Sequence, residues 1–337
     1  MTISAWRPYP SKKQAPTDAV SAESAATLRL RAATLGRVRA VVLLGGTVRV
    51  SELGRGIGRS MLDLPARTGQ TLLEAWCEQV AAFGRLAGIE RCPLRVRISH
   101  DTPAPTPPAN VPGGPGGAGV EVLVESDESA YRGSGGVLRD MAQQFADDDY
   151  LLTGSAAQVL LEPLTGVAVE LADTGAPVSL VSHRDGTPGG LMLLRCGVLK
   201  QLPKVGFVDL KEQALPRIAR EQEVRVIHRD VPTGLPVRTL TSYITALRAL
   251  HHLMDESVSL ADPFMEDWKS SFAIVEPGAE VASTARVHDS VVLKGGRVGE
   301  GAVVVRAVVG PGGVVPANRT VVDSVVSANE RHGKRGG

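Results

Sequence analysis

The chain has 337 residues, 43% of them hydrophobic and 22% charged, so it is long enough for two domains and can bury a sizeable core. With 37 Lys plus Arg against 36 Asp plus Glu, its formal net charge of +1 gives no whole-chain electrostatic case for nucleic-acid or membrane binding. No apolar run approaches the ~18–20 residues that cross a bilayer, and no signal-peptide core opens the sequence. Cys77, Cys92 and Cys196 are an odd number at irregular spacings, which argues against a disulfide framework or a zinc cluster and points to the reducing cytoplasm. Aromatics are scarce at 4%, while Gly, Ala and Val are abundant, a composition that suits parallel sheets and β-solenoids better than a helical bundle.

Residues 1–36 read as a flexible N-terminal extension, with Pro8, Pro10 and Pro16, the pair Lys12-Lys13 and an Ala/Arg stretch over 22–33 that reads as a surface helix. Val38 to Leu44 is a near-continuous apolar run ending in Gly45-Gly46-Thr47, the pattern of a strand buried on both faces with a glycine loop at its carboxyl end. A helix is expected from about Thr71 to Ala87, where Thr71 and Glu74 have capping-box spacing and Leu73, Trp76, Val80, Phe83 and Ala87 form one stripe. Leu94–Ile98 follows as a strand. Residues 102–119, almost all Pro, Gly, Ala, Thr and Asn, read as a disordered insertion. Val120–Val124 resumes the sheet, Gly133-Ser134-Gly135-Gly136 opens a helix, and Tyr150–Thr153 is a buried strand ending at Gly154-Ser155. Val167–Leu171 and Val178–Ser182, flanking Asp173-Thr174-Gly175-Ala176, read as a hairpin-like pair. Leu191–Leu194 and Val224–Ile227 are further strands. Asp209 to Glu212 is a cap signal for a helix with Pro216 early in it, and Thr241–His252 is the last helix. This alternation predicts an α/β domain over 37–255 with a mostly parallel, Rossmann-like sheet, whose ligands would sit beyond the carboxyl ends of the strands.

The pattern changes after a linker over 256–273. Val275, Val281, Val287, Leu293, Val298, Val304, Val309 and Val315 recur at steps of five or six with Gly or Ala between them. No helical period fits; a hexapeptide-repeat solenoid over 274–328 does, before a polar tail at 329–337.

Together these features resemble the sugar-1-phosphate nucleotidyltransferases, the nucleotide-sugar pyrophosphorylases of the mannose-1-phosphate guanylyltransferase type. The resemblance spans roughly residues 38–326. It implies a nucleotidyltransferase domain followed by a left-handed β-helix, and a reaction joining a nucleoside triphosphate to a sugar 1-phosphate with release of pyrophosphate, in nucleotide-sugar and cell-surface polysaccharide metabolism. That chemistry needs positioning, cations around the phosphates and a magnesium ion.

The family's phosphate loop is matched by Gly45, Gly46, Thr47 and Arg49, then by Arg59 close to the place of its lysine; Arg49 and Arg59 are the cations assigned to catalysis. Gly133, Ser134, Gly135 and Gly136 match its base-recognition loop, although a tight turn before a helix explains the same residues. Gly154, Ser155, Arg184 and Gly190 fall in the substrate-binding region, where Arg184 is either a cation for the sugar phosphate or a turn residue. The departures concern the metal. Where the family has a Gly-Asp strand end this chain has Gly154-Ser155, and where it has Trp-x-Asp-x-Gly-Thr this chain has Gly234 to Thr239 with Pro236 at the carboxylate position. Mg2+ takes hard oxygen ligands, so no metal ligand is assigned and Mg2+ is a cofactor only of an active enzyme. Asp147-Asp148-Asp149 and Asp173 either compensate or form solvated acidic turns. Two functions stay open: a divergent transferase, or a pseudoenzyme that binds a nucleoside triphosphate or sugar phosphate as a regulatory subunit. In both, the partners are small phosphorylated molecules and further copies of the chain paired through the β-helix, not a membrane or nucleic acid.

Overall fold

The computed structural model describes residues 25–45, 52–99, 102–109, 119–127, 132–184, 186–255 and 271–328. Helix α1 (Ala25–Leu35) leads into strand β1 (Val38–Leu44), then α2 (Glu52–Ile57), a short 3-10 turn, the ribbon β2 (Pro65–Arg67) and β3 (Gln70–Thr71), and helix α3 (Leu72–Ala87). Strands β4 (Arg91–Ile98) and β5 (Gly119–Ser126) precede α4 (Gly133–Ala142), β6 (Tyr150–Ser155), β7 (Gln158–Leu160) and α5 (Leu164–Asp173). Strands β8 (Val178–His183) and β9 (Pro188–Arg195), α6 (Cys196–Lys200), α7 (Leu215–Glu221), β10 (Val224–Arg229), β11 (Gly234–Pro236) and α8 (Leu240–Asp255) complete the α/β domain.

Its centre is a 7-stranded sheet in the order β10-β8-β9-β6-β1-β4-β5. All strands run the same way except β9, which is antiparallel to both β6 and β8. The apolar run of β1 explains its central place. Val41 and Leu43 pack on one face with α3, α5 and α8, while Ala40 and Val42 pack on the other with α4, α6 and α7, so every residue from Ala40 to Leu43 is lost to water. Helix α3 follows its sequence closely: the Thr71 hydroxyl accepts the Glu74 N–H at 3.2 Å, the Glu74 carboxylate accepts the Thr71 N–H at 2.7 Å, and Leu73, Trp76, Val80 and Phe83 are buried.

Three expectations change. Val167–Leu171 is not a strand but the middle of α5, where Leu164, Val167, Ala168, Leu171 and Ala172 are buried at helical spacing. A short apolar run carries both periods, and Pro163 at the N-cap starts the helix that decides between them. The surface helix expected over 22–33 is present as α1, but the segment 25–36 is not a free extension: α1 docks through buried Leu35 and the Arg31–Asp173 ion pair at 2.7 Å. Residues 102–109, expected within the disordered insertion, lie against the domain: Pro105 is buried, and Thr106 donates its N–H to Asp63 at 2.8 Å. The rest of the insertion over 110–118, the tail over 329–337 and most of the linker lie outside the described residues.

The C-terminal unit is built of short parallel strands: β12 (Ala273–Val275), β13 (Glu280–Val281), β14 (Arg286–His288), β15 (Ser290–Val292), β16 (Arg297–Val298), β17 (Val303–Val305), β18 (Val308–Val309), β19 (Val314–Val315), β20 (Thr320–Val322) and β21 (Val325–Val326). They stack as three sheets, β12-β15-β18-β21, β13-β16-β19 and β14-β17-β20. Ile274 pairs with Val291 and Val291 with Val308, so each coil takes 17 residues. The steps are therefore six, six and five, which accounts for the irregular valine spacing. Val292, Val298, Val304, Val309 and Val315 fill the interior. Leu293, expected there, packs instead with the α/β domain alongside Ile274, Val291 and Val308, because adjacent residues of a strand face opposite ways. Val275 has the interior register but lies on the first coil and is 38% exposed. Small residues do not serve every corner: Asp289, Arg306 and Asp323, one per coil, adopt left-handed backbone with φ of 45, 48 and 50°.

Candidate functional site

Strands β1 and β6 are parallel neighbours, and Leu44 pairs with Ser155, so the carboxyl ends of both strands reach one lip. A cavity of about 490 Å3 opens there. It is lined by Leu44, Gly45, Ile98 and Thr153 to Ala157, by Arg59 to Leu62, and by Ser134, Asp209 to Glu212 and Arg238. Position and size suit a small-molecule ligand on an open parallel sheet.

Of the residues singled out from sequence, Gly45, Arg59, Ser134, Gly154, Ser155 and Gly190 line this cavity. Several hold the framework as well. The Gly45 N–H donates to the Arg97 carbonyl at 2.7 Å, and a Cβ on Gly45 would lie 2.8 Å from that same oxygen, so the strand end must be glycine. The glycine loop at the start of α4 packs backbone to backbone on Val208. Gly135 donates its N–H to the Val208 carbonyl at 2.9 Å, and a Cβ on Gly133, whose φ is +66°, would meet that oxygen at 2.5 Å. The Ser134 hydroxyl accepts the Leu210 N–H at 2.9 Å. Gly133, Gly135 and Gly136 do not line the cavity. Gly190 has a φ of +83°, and a Cβ there would lie 2.2 Å from the Gln158 side-chain oxygen.

Arg59 is committed within the protein: its guanidinium donates to both carboxylate oxygens of Glu276, at 3.0 and 2.8 Å, tying the cavity wall to the first coil of the C-terminal unit. Arg184 lies away from the cavity, 78% exposed and ion-paired with Asp230. Gly46, Thr47 and Arg49 lie outside the described residues.

Two cations that sequence reasoning did not assign line the cavity: Lys211 and Arg238. The first was legible only as a member of the cap at Asp209, whose carboxylate does accept the Lys211 and Glu212 N–H groups at 2.8 and 2.9 Å. The second lies two residues after Pro236, in the segment read for its missing carboxylate. Partial removal from water, and next the positive charge of Arg238, push the Lys211 ammonium below its ordinary value; Asp209 opposes the shift.

Magnesium, implied by the resemblance, does not fit the donor set. Among the described residues no three His, Cys, Asp or Glu side chains come together as metal ligands. The cavity's carboxylates are Asp209, engaged in capping, and Glu212. The acidic residues weighed as compensation are bound elsewhere: Asp147 to Lys200, Asp148 to Arg195, Asp149 to Arg39, and Asp173 to Arg31. Glu125 and Asp127 are held by Arg95 and Arg97. The thiols of Cys77 and Cys92 are pushed up to about 12 and that of Cys196 to about 11, chiefly by burial, and all three are free and buried. Among the described residues no helix is long and apolar enough to cross a membrane.

No protein-family model and no curated protein matches this chain. Among solved structures, it is similar to the homologue of Mycobacterium tuberculosis rv0371c from Mycobacterium sp. strain JC1, with 18% identity over 65% of this chain and 98% of that one and a TM-score of 0.40. It is also similar to HddC from Yersinia pseudotuberculosis, with 12% identity over 63% of this chain and 100% of that one and a TM-score of 0.41.

Proposed function

We propose that this protein binds a phosphorylated small molecule, a nucleotide or a sugar phosphate, in the cavity at the carboxyl ends of β1 and β6, and that it does so as a non-catalytic relative of the sugar nucleotidyltransferases. The observation that carries the reading is the charge pattern of that cavity: Lys211 and Arg238 line it without an ion pair among the described residues, Asp209 beside them is engaged as a cap and Glu212 is the other carboxylate, and none stands at Gly154-Ser155 or at Pro236. In-line attack of a sugar phosphate on the α-phosphorus of a triphosphate, with pyrophosphate leaving, brings several negative charges together, and a metal ion supplies several kcal/mol of stabilisation there. Without ligands for that ion, binding outlasts transfer.

In the same reading the C-terminal coils are a left-handed β-helix, and the chain assembles with further copies through it in the cytoplasm. The 17-residue coils with valine interiors and the three unpaired cysteines support these parts.

The test uses the full chain with ATP, GTP, dTTP, mannose 1-phosphate and glucose 1-phosphate. Thermal stabilisation by at least one of them without pyrophosphate release is expected. Pyrophosphate release from a triphosphate and sugar phosphate pair would make the protein an enzyme, and no stabilisation by any compound would remove the ligand reading.

A further inference from the structure

We infer that the cavity takes its anion without a metal ion, with Lys211 and Arg238 supplying the positive charge in direct contact with phosphate oxygens. This rests on the phosphate-ligand reading above and deepens it.

The first argument is the contrast with five arginines of the domain that close on carboxylates. Arg39, Arg59, Arg95, Arg97 and Arg132 each hold a carboxylate. Among the described residues the side chains of Lys211 and Arg238 make neither a hydrogen bond nor an ion pair, although Asp209 and Glu212 line the same cavity. Two like charges facing one cavity repel each other, and the chain gains nothing from that arrangement alone. An anion between them turns the repulsion into two attractions. Arginine adds a planar fork that matches two phosphate oxygens, and lysine a compact point charge.

The second argument is a neutral donor. Among the described residues the Thr102 hydroxyl is buried without a hydrogen-bond partner, and Thr102 lines the same cavity. A buried polar group left without a partner costs about 1–3 kcal/mol, and an anion oxygen would supply that partner. The third is the donor set already described: of the cavity's two carboxylates Asp209 is engaged as a cap, and among the described residues no three metal-ligating side chains come together.

The arrangement reverses the effect of magnesium. In a site that binds the metal complex, Mg2+ strengthens nucleotide binding. Here the metal would neutralise part of the charge that the two cations attract, and so compete with them.

Calorimetric titration of the full chain with GTP, ATP, dTTP, inorganic pyrophosphate and mannose 1-phosphate, in EDTA and again in excess Mg2+, tests the inference. At least one compound is expected to bind in EDTA, with triphosphate binding roughly threefold to tenfold weaker in Mg2+. Lys211→Ala and Arg238→Ala should each weaken binding by about tenfold or more, and Arg238→Lys by less than Arg238→Ala. Both side chains are exposed, so the unliganded melting curves of the variants should overlay that of the parent and exclude misfolding. Binding seen only with Mg2+ overturns this inference and leaves the ligand reading intact. Binding in EDTA that neither variant changes overturns the assignment of these two residues. No binding by any compound in either buffer overturns both readings.

Discussion

Two groups of charged residues at the central sheet, the acidic run before β6 and the cation pair Lys211 and Arg238, are used in opposite ways. Near the amino end of β6, the run Asp147-Asp148-Asp149 is paired with Lys200, Arg195 and Arg39, and the Asp149 carboxylate also accepts the Ala146 N–H at 2.9 Å. At the carboxyl end, the cavity holds Lys211 and Arg238 without such partners. Charges closed on one another set the geometry of a turn; charges left open toward a cavity suit a ligand. Abundance of acidic residues was therefore a poor guide to the site, because the densest acidic run of the α/β domain is spent on the framework.

The sharpest way to break this contrast is to disturb the start of α4, whose Ser134 lines the cavity. Gly133→Val places a branched side chain on left-handed backbone and against the Val208 carbonyl, so unfolding in urea should show a loss on the order of 3 kcal/mol or more, together with loss of ligand binding. Tolerance of valine there would mean that the α4 start does not rest on Val208. Asp149→Ala comes next. It removes the acceptor of Arg39 and of the Ala146 N–H, and a loss of about 2 kcal/mol is expected with ligand affinity unchanged. A matching drop in affinity would show that the two ends are not independent.

A smaller effect belongs to Glu125. Burial alone would raise its carboxyl, but the hydrogen bonds and charges of Arg95 and Arg97 together outweigh burial and hold it below its ordinary value of 4.5. A carboxyl depressed by folding contributes stability above that value, and the contribution is lost as the pH falls through the depressed one. Glu125→Gln should therefore melt below the parent at pH 7, with the gap closing as the pH drops under 4.5; a constant gap would assign the loss to packing. Smallest of all, Lys211→Ala and Arg238→Ala should leave the stability of the unliganded chain within about 0.5 kcal/mol, since neither side chain holds a structural partner. Clear destabilisation would show that these residues serve the fold.

Much of the framework is legible in the sequence. β1 reads from seven successive residues, α3 from its capping box and stripe, and the C-terminal unit from its valine steps, because each pattern is local and repeats the geometry of one element. The errors share a cause. Val167–Leu171 is a short apolar run compatible with two periods, and Val292 and Leu293 are neighbours of which only the stacking of coils selects one for the interior. Of the candidate site, the sequence reading named Gly45, Arg59, Ser134, Gly154, Ser155 and Gly190, which line one cavity, while Lys211 and Arg238 on the same cavity went unassigned. The first stood inside a helix-cap signal and the second beside a missing carboxylate, and neither context marks a ligand contact.

What the sequence by itself determined is the set of elements and the absence of carboxylates at two positions, because periodicity and residue identity are properties of the chain. Which charges are spent was decided by the tertiary structure alone. Arg59 meets Glu276 across 217 residues, whereas Lys211 and Arg238 arrive at one cavity from segments on either side of β10 and, among the described residues, form no ion pair there, although Asp209 and Glu212 line it too. Pairing depends on distances of a few ångströms between remote segments, and only the folded packing of the sheet, its helices and the first coil sets those distances.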